Sequence, residues 1–154
     1  MQSSSDTTAL GHNVSHGMAL WNPNVAACWS VVFTPAFGAW LLMRNWEVLG
    51  DKRLAAQSRK WFVFSIGLLA VRLISGALNA RLNSQSNLLL WFSWGYLLVW
   101  WIAAVAPQAK AVRARFGADF PRQGWDYALL LALAGGIAYQ LLSALLGWLF
   151  RALT

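Results

Sequence analysis

Four long apolar runs dominate the chain: Val25 to Met43, Trp61 to Leu78, Leu88 to Ala106 and Tyr127 to Phe150. Only the second contains a charge, Arg72. At about 1.5 Å of rise per residue, 19 residues, the length of the first and third runs, cover roughly 28 Å, close to a hydrocarbon core of about 30 Å. Backbone polar groups in lipid must be satisfied within their own segment, which requires helices here because the runs are too long for barrel strands. The sequence therefore predicts an all-α polytopic membrane protein, a four-transmembrane-helix bundle of two hairpins. The spans fall at about 25–43, 61–80, 88–106 and 127–150, within one domain over 21–154 that follows a flexible, polar, Ser/Thr-rich tail over 1–20.

Composition agrees. Of 154 residues, 58% are hydrophobic and 11% charged, against about 25% charged in an ordinary soluble domain. A small soluble domain needs a larger polar skin, so a soluble enzyme, a disordered chain and a disulfide-rich module are excluded. The single cysteine, Cys28, lies inside an apolar run and reads as a buried structural residue. Met1 to Met43 contains no Lys or Arg, so the first run is not a cleaved signal peptide.

The formal charge of +7 is unevenly distributed. Arg44, Lys52, Arg53, Arg59 and Lys60 lie between the first two runs, and Lys110, Arg113, Arg115 and Arg122 between the last two. Outside these loops and Arg72 stand only Arg81 and Arg151. The positive-inside rule puts both basic loops in the cytoplasm and both termini outside, periplasmic for a bacterial inner membrane. The basic residues then face anionic lipid rather than nucleic acid. Gly50-Asp51 marks a helix stop and restart, with a short basic interfacial helix over Asp51 to Lys60. A similar one over Gln108 to Phe116 ends at Gly117, and Pro121 and Gly124 mark a turn. Trp46, Trp61, Trp125 and Trp148 sit near span edges, where indoles anchor among headgroups.

Arg72 is the most informative single residue. A charge within a span costs about 2.5–3.5 kcal/mol on the insertion scale, and no run offers it a carboxylate. It either snorkels to the surface or meets polar groups in the bundle or on a partner. Ser65, Arg72 and Asn79 repeat every seven residues, with Ser75 and Gly76 close by, and form one helical stripe. In the fourth run Gly136, Gln140, Ser143 and Gly147 share a face. Ala132 with Gly136, and Ser143 with Gly147, make small-xxx-small pairs that allow close helix approach, within this chain or with a partner. In the first run Thr34, Pro35 and Gly38 predict a kink, because Pro35 has no N–H and frees the carbonyl of Val31.

His12 and His16 are spaced for a metal on a helix, but two ligands do not fill a site and no Cys, Asp or Glu cluster joins them. No nucleophile–base pair, phosphate-cradling glycine loop or paired carboxylates occur. The chain reads as non-enzymatic, with no metal and no cofactor.

The stretch Asn22-Pro-Asn-Val-Ala-Ala-Cys-Trp-Ser-Val-Val-Phe-Thr-Pro-Ala-Phe-Gly-Ala-Trp40, followed by Asn45-Trp46, resembles a group of small bacterial inner-membrane proteins. These carry an Asn-Trp-Ser-x-x-Phe-Ser/Thr-Pro-x-Phe-Gly-Ala signature, in which Cys28 here replaces the first Asn. Phe120-Pro-Arg-Gln-Gly-Trp125 resembles their second signature. Some members resemble immunity proteins encoded beside type VI or Rhs-type membrane-depolarising toxins. The resemblance implies a protein that binds a membrane-inserting toxin through intramembrane helix contacts and neutralises it. Partner-binding residues would be Arg72, Ser65, Ser75, Asn79, Gly136, Gln140, Ser143 and Gly147. The alternatives are a small transporter or channel subunit, forming a homo-oligomer, and an accessory subunit of a membrane complex.

Overall fold

The structure, a computed structural model, describes residues 19–82, 87–117 and 120–152. Within them every regular element is helical: α1 (Pro23–Val32), α2 (Pro35–Val48), α3 (Lys52–Leu82), α4 (Leu88–Trp100), a π-helical turn (Trp101–Val105), α5 (Ala106–Phe116) and α6 (Asp126–Ala152). Three helical stretches are long and apolar enough to cross a membrane: Lys52–Asn79 in α3, Leu88–Phe116 through α4, the π turn and α5, and Asp126–Ala152. The chain is a multi-pass membrane protein, all-helical among the described residues, with three such helices there rather than the four expected. The expected tail, with His12 and His16, lies outside the described residues as far as residue 18; Leu20, its last member, is buried.

The missing span is the first run, which is broken rather than kinked. Phe33 N–H donates to Trp29 O at 2.8 Å, the last bond of α1. Thr34 is extended, with φ 179° and ψ 159°. Proline excludes the residue before it from the α region and cannot donate, so the helix stops and a new one starts. Thr34 caps that start, its carbonyl and its Oγ1 both accepting from Phe37 N–H at 3.1 and 3.5 Å. The 10 residues of α1 and 14 of α2 reach roughly 15 and 21 Å, short of a bilayer core.

The two helices fold back on each other as a hairpin. Trp21 N–H donates to Asn45 Oδ1 at 3.0 Å, and Asn45 Nδ2 donates to Trp21 O at 2.8 Å. In one continuous helix those residues would stand roughly 36 Å apart. Asn45 Nδ2 also donates to Gln108 Oε1 at 3.0 Å, and Gln108 Nε2 to Leu42 O at 2.8 Å. Both amides are fully buried. They close the hairpin base and bolt it to α5, giving partners to the Trp21 N–H and to the carbonyls of Trp21 and Leu42.

The hairpin wedges between the long helices. On one side Ala27, Ala39 and Leu42 pack with Tyr96, Trp100, Ala104 and Val105. On the other Ala26, Phe37 and Leu41 pack with Ala128 and Ala132 of α6. An aromatic row runs along that face: Trp29 to Phe33 at 5.6 Å, Phe33 to Phe37 at 5.6 Å and Phe37 to Trp40 at 6.4 Å between centroids. Cys28, expected to be buried, is exposed on α1.

Gly38 lets α1, α2 and α4 converge. A Cβ there would strike Ser30 Oγ and come within 2.6 Å of Trp100 Cη2. Trp100 is fully buried and has no room to yield. Gly38→Ala is expected to lower thermal stability by about 1–3 kcal/mol through overpacking, read as a lower melting temperature in detergent.

The boundary signals hold at Gly50 and Gly117, which end α2 and α5 at φ +75° and +71°. Asp51 restarts the chain, its Oδ1 accepting from Leu54 N–H at 2.9 Å. The two expected interfacial helices are not separate elements. The first is the opening of the 31-residue α3, which at roughly 46 Å outreaches the hydrocarbon core. The second is α5, continuous with α4. Pro107 supplies no N–H, and the helix passes it by widening, Ala106 N–H donating to Trp101 O five residues back.

Both basic loops lie at one end, where Arg115 Nη1 donates to Leu49 O at 3.4 Å. Leu20 lies there too: its N–H donates to Pro121 O and its carbonyl accepts from Gln123 N–H, each at 3.0 Å. Ala152 ends α6 at the far end. The described ends are therefore on opposite sides of the bundle, where four spans would have put them together.

Candidate functional site

Beyond the hairpin tip the long helices lose the wedge that holds them, and the tip itself forms the floor of a recess. Arg72 stands in this recess. It lies 11 residues past Trp61 and 7 before Asn79, roughly 16 and 10 Å along α3. Its side chain is exposed and makes no hydrogen bond or ion pair among the described residues.

Two cavities flank the tip, and Arg72 and Thr34 line both. One, of about 220 Å³, lies toward α4 and includes Ser30, Ser65, Ser93 and Tyr96. The other, of about 580 Å³, lies toward α6 and includes Phe37, Gly135, Gly136 and Tyr139. Most hydroxyls in the first are engaged already. Ser30 Oγ donates to Ala26 O at 2.8 Å and Ser93 Oγ to Leu89 O at 2.6 Å. Ser65 Oγ lies 2.8 Å from Trp61 O and 2.7 Å from Tyr96 Oη. The guanidinium of Arg72 is left as the main donor facing the recess. Its surroundings suit a carboxylate or another acceptor arriving from outside the chain.

The expected partner-binding residues divide. Ser65 is buried and ties α3 to α4, while Arg72 is exposed and has no partner among the described residues. Ser75 and Asn79 are half-buried further along α3. On α6, Ala132 packs against the hairpin, but Gly136 and Gln140 are exposed and Ser143 and Gly147 half-buried. A Cβ at Gly136 would meet nothing within 4 Å, and one at Gly147 only Arg151, at 3.8 Å. Close approach inside this chain is thus not what these glycines serve. Of the kink residues, Thr34 caps α2, Pro35 opens it and Gly38 seats the hairpin against Trp100.

Sequence reasoning missed the roles of Trp21, Asn45 and Gln108, whereas Trp100, in the Trp-rich third run, reads as a packing residue and is one. Asn45 stood in the quoted Asn-Trp pair, and Gln108 was visible as a second amide at the end of an apolar run. The stretches 22–46 and 120–125, quoted for the resemblance, form one unit: Trp125 packs on the cluster of Ala26, Phe37 and Leu41, and Trp21, just before the first stretch, donates from Nε1 to Gly124 O at 3.1 Å. No family model, curated protein or solved structure matches the chain.

Proposed function

We propose that this is a non-enzymatic bacterial inner-membrane protein that captures a transmembrane helix of another protein in the recess beyond the hairpin tip, acting as an immunity protein against a membrane-depolarising toxin. The observation that carries the reading is Arg72, without a counter-charge among the described residues, sharing a cavity with the open Gly135-Gly136 face of α6. In lipid the hydrophobic effect does not drive helix association, so small residues, polar contacts and complementary charge must do so. Gly136, Gly147 and Ser143 offer close approach, Gln140 a side-chain amide, and Arg72 a counter-charge for an acid on the incoming helix. A toxin helix held there could not assemble a pore.

The basic loops would face the cytoplasm, with Arg44, Lys52, Arg53, Arg59, Lys60, Lys110, Arg113, Arg115 and Arg122 against anionic lipid. The recess then opens toward the periplasmic leaflet, the side from which a delivered toxin inserts.

Co-expression with the membrane-acting product of an adjacent gene tests this. Wild type is expected to preserve membrane potential and survival. Arg72→Gln and Gln140→Leu are each expected to weaken protection by about tenfold, the scale of one polar contact between helices in lipid. If protection is absent in the wild type, or unchanged in both variants, the reading fails.

The hairpin favours a second reading, a small transporter or channel. Non-spanning helices at membrane depth are tolerated where protein buries them or a water-filled cavity lies beside them, and half-helix ends there bind ions. Anion flux into liposomes that disappears in Arg72→Ala would support it.

A further inference from the structure

A second cationic feature lies at the opposite end of the molecule and is independent of the recess. A cavity of about 450 Å³ opens between the start of α1, the end of α5 and the 120–122 segment. Lys110, Arg113 and Arg122 line it, with Asn24, Ala109 and Phe120 among the remaining walls. No described Asp or Glu lines it, and the ion pair between Arg44 and Glu47 is elsewhere. Asp119, in the same loop, lies outside the described residues; one acid against three cations still leaves an excess of positive charge. Arg122 rests over the Phe120 ring at 5.8 Å, which holds its guanidinium at the cavity mouth. The α1 N-terminus adds the positive end of a helix dipole.

Depth selects the occupant. Lys110 and Arg113 come 4 and 7 residues after Ala106, the end of the third apolar run, or roughly 6 and 10 Å beyond the hydrocarbon edge. A core of about 30 Å widens to about 40–45 Å with its headgroups, about 5–7.5 Å on each side, so Lys110 stands in the headgroup zone and Arg113 just outside it, close enough for its long side chain to reach back. Basic pockets between helices on the cytoplasmic side take the phosphates of anionic lipids. We infer that this cavity binds a phosphate, supplied by the headgroup of an anionic phospholipid rather than by free phosphate.

The site has a structural consequence. The segment that carries Arg122 also pairs with Leu20 through Pro121 and Gln123, and its Gly124 carbonyl accepts from Trp21 Nε1. A headgroup bridging Arg122 to Lys110 and Arg113 braces the hairpin base against α5. Bound lipid therefore stabilises the fold as well as decorating it.

The test uses the full chain purified in neutral detergent, with cardiolipin, phosphatidylcholine or inorganic phosphate added. Cardiolipin alone is expected to raise the melting temperature and to remain bound in native mass spectra. Combining Lys110→Gln, Arg113→Gln and Arg122→Gln is expected to weaken cardiolipin binding roughly a hundredfold. Combining Lys52→Gln, Arg53→Gln and Arg59→Gln removes the same charge from lipid-facing positions outside the cavity, where headgroups are met only as a diffuse surface, and is expected to weaken binding by about threefold at most. Ala109→Trp keeps every charge but fills the cavity, so it is expected to lose binding too, and it decides the question if the first triple variant does not fold. Equal losses in the two triple variants, unchanged binding in Ala109→Trp, or equal stabilisation by inorganic phosphate or phosphatidylcholine would overturn the inference.

Discussion

Replacing Asn45 with leucine is expected to lower stability by about 3 kcal/mol, a drop of roughly 10 °C in melting temperature. The side chain is fully buried and makes three hydrogen bonds: from Trp21 N–H, to Trp21 O and to Gln108 Oε1. Leucine matches its size but leaves a backbone donor, a backbone acceptor and an amide oxygen without partners in a closed site. Leaving buried polar groups unmade costs more than a formed bond contributes, about 1–3 kcal/mol for each group before relaxation. Gln108→Leu is expected to cost less, because it strands only Asn45 Nδ2 in part and Leu42 O. Because the two amides share one bond, the double variant should cost less than the sum of the single ones. Thermal unfolding of the four proteins in one detergent checks this. An Asn45→Leu protein that melts with wild type would mean that the hairpin base is open, and the folded-back arrangement of α1 and α2 would fall with it.

Length and hydropathy made the three crossings legible, because a long uncharged run in lipid has one way to satisfy its backbone. The punctuation at Gly50, Asp51 and Gly117 was equally local and equally readable. The first run misled because length and hydropathy are blind to direction. Its 19 residues match a span in both respects, and Pro35 is compatible with either a bend or a full stop. The choice is made elsewhere, by Asn45 reaching Trp21 and Gln108, by Trp100 filling the space over Gly38, and by Ala128 and Ala132 receiving Phe37. Those partners are distant in sequence, and no periodicity within the run encodes them. The candidate site was half visible. Arg72 stood out as a charge with no acid within reach, and the structure leaves it unpaired among the described residues. The hairpin tip that floors its recess is not legible in the sequence, because length and hydropathy make the first run a membrane-crossing helix.

The break in that run also sets which side of the membrane each end occupies, and this difference is all-or-none. In a Cys28→Ser background, single cysteines at Ala19, Gln57, Gln123 and Ala152 would each be challenged with a membrane-impermeant thiol reagent in intact and in opened cells. All four positions are described residues away from the cores; Gln57, Gln123 and Ala152 are exposed, and Ala19 is half-exposed. Three crossings require Ala19, Gln57 and Gln123 to behave alike and Ala152 to behave oppositely, because the hairpin enters and leaves through the same face. Four crossings would instead pair Ala19 with Ala152. The absolute sense follows from the proposed orientation: with the loops holding Lys52, Arg53, Arg59, Lys60, Lys110, Arg113, Arg115 and Arg122 in the cytoplasm, as the positive-inside rule predicts, the first three cysteines are expected to be protected until cells are opened and Ala152→Cys to react from outside. The hairpin tip stops at mid-depth with Thr34 capping the new helix and with Phe33 and Thr34 lining the cavities toward α4 and α6, and lining a cavity is the condition for non-spanning backbone within a bilayer. Labelling of Ala19→Cys from outside in intact cells would show that the first run crosses after all, and the recess around Arg72 would then lose its floor.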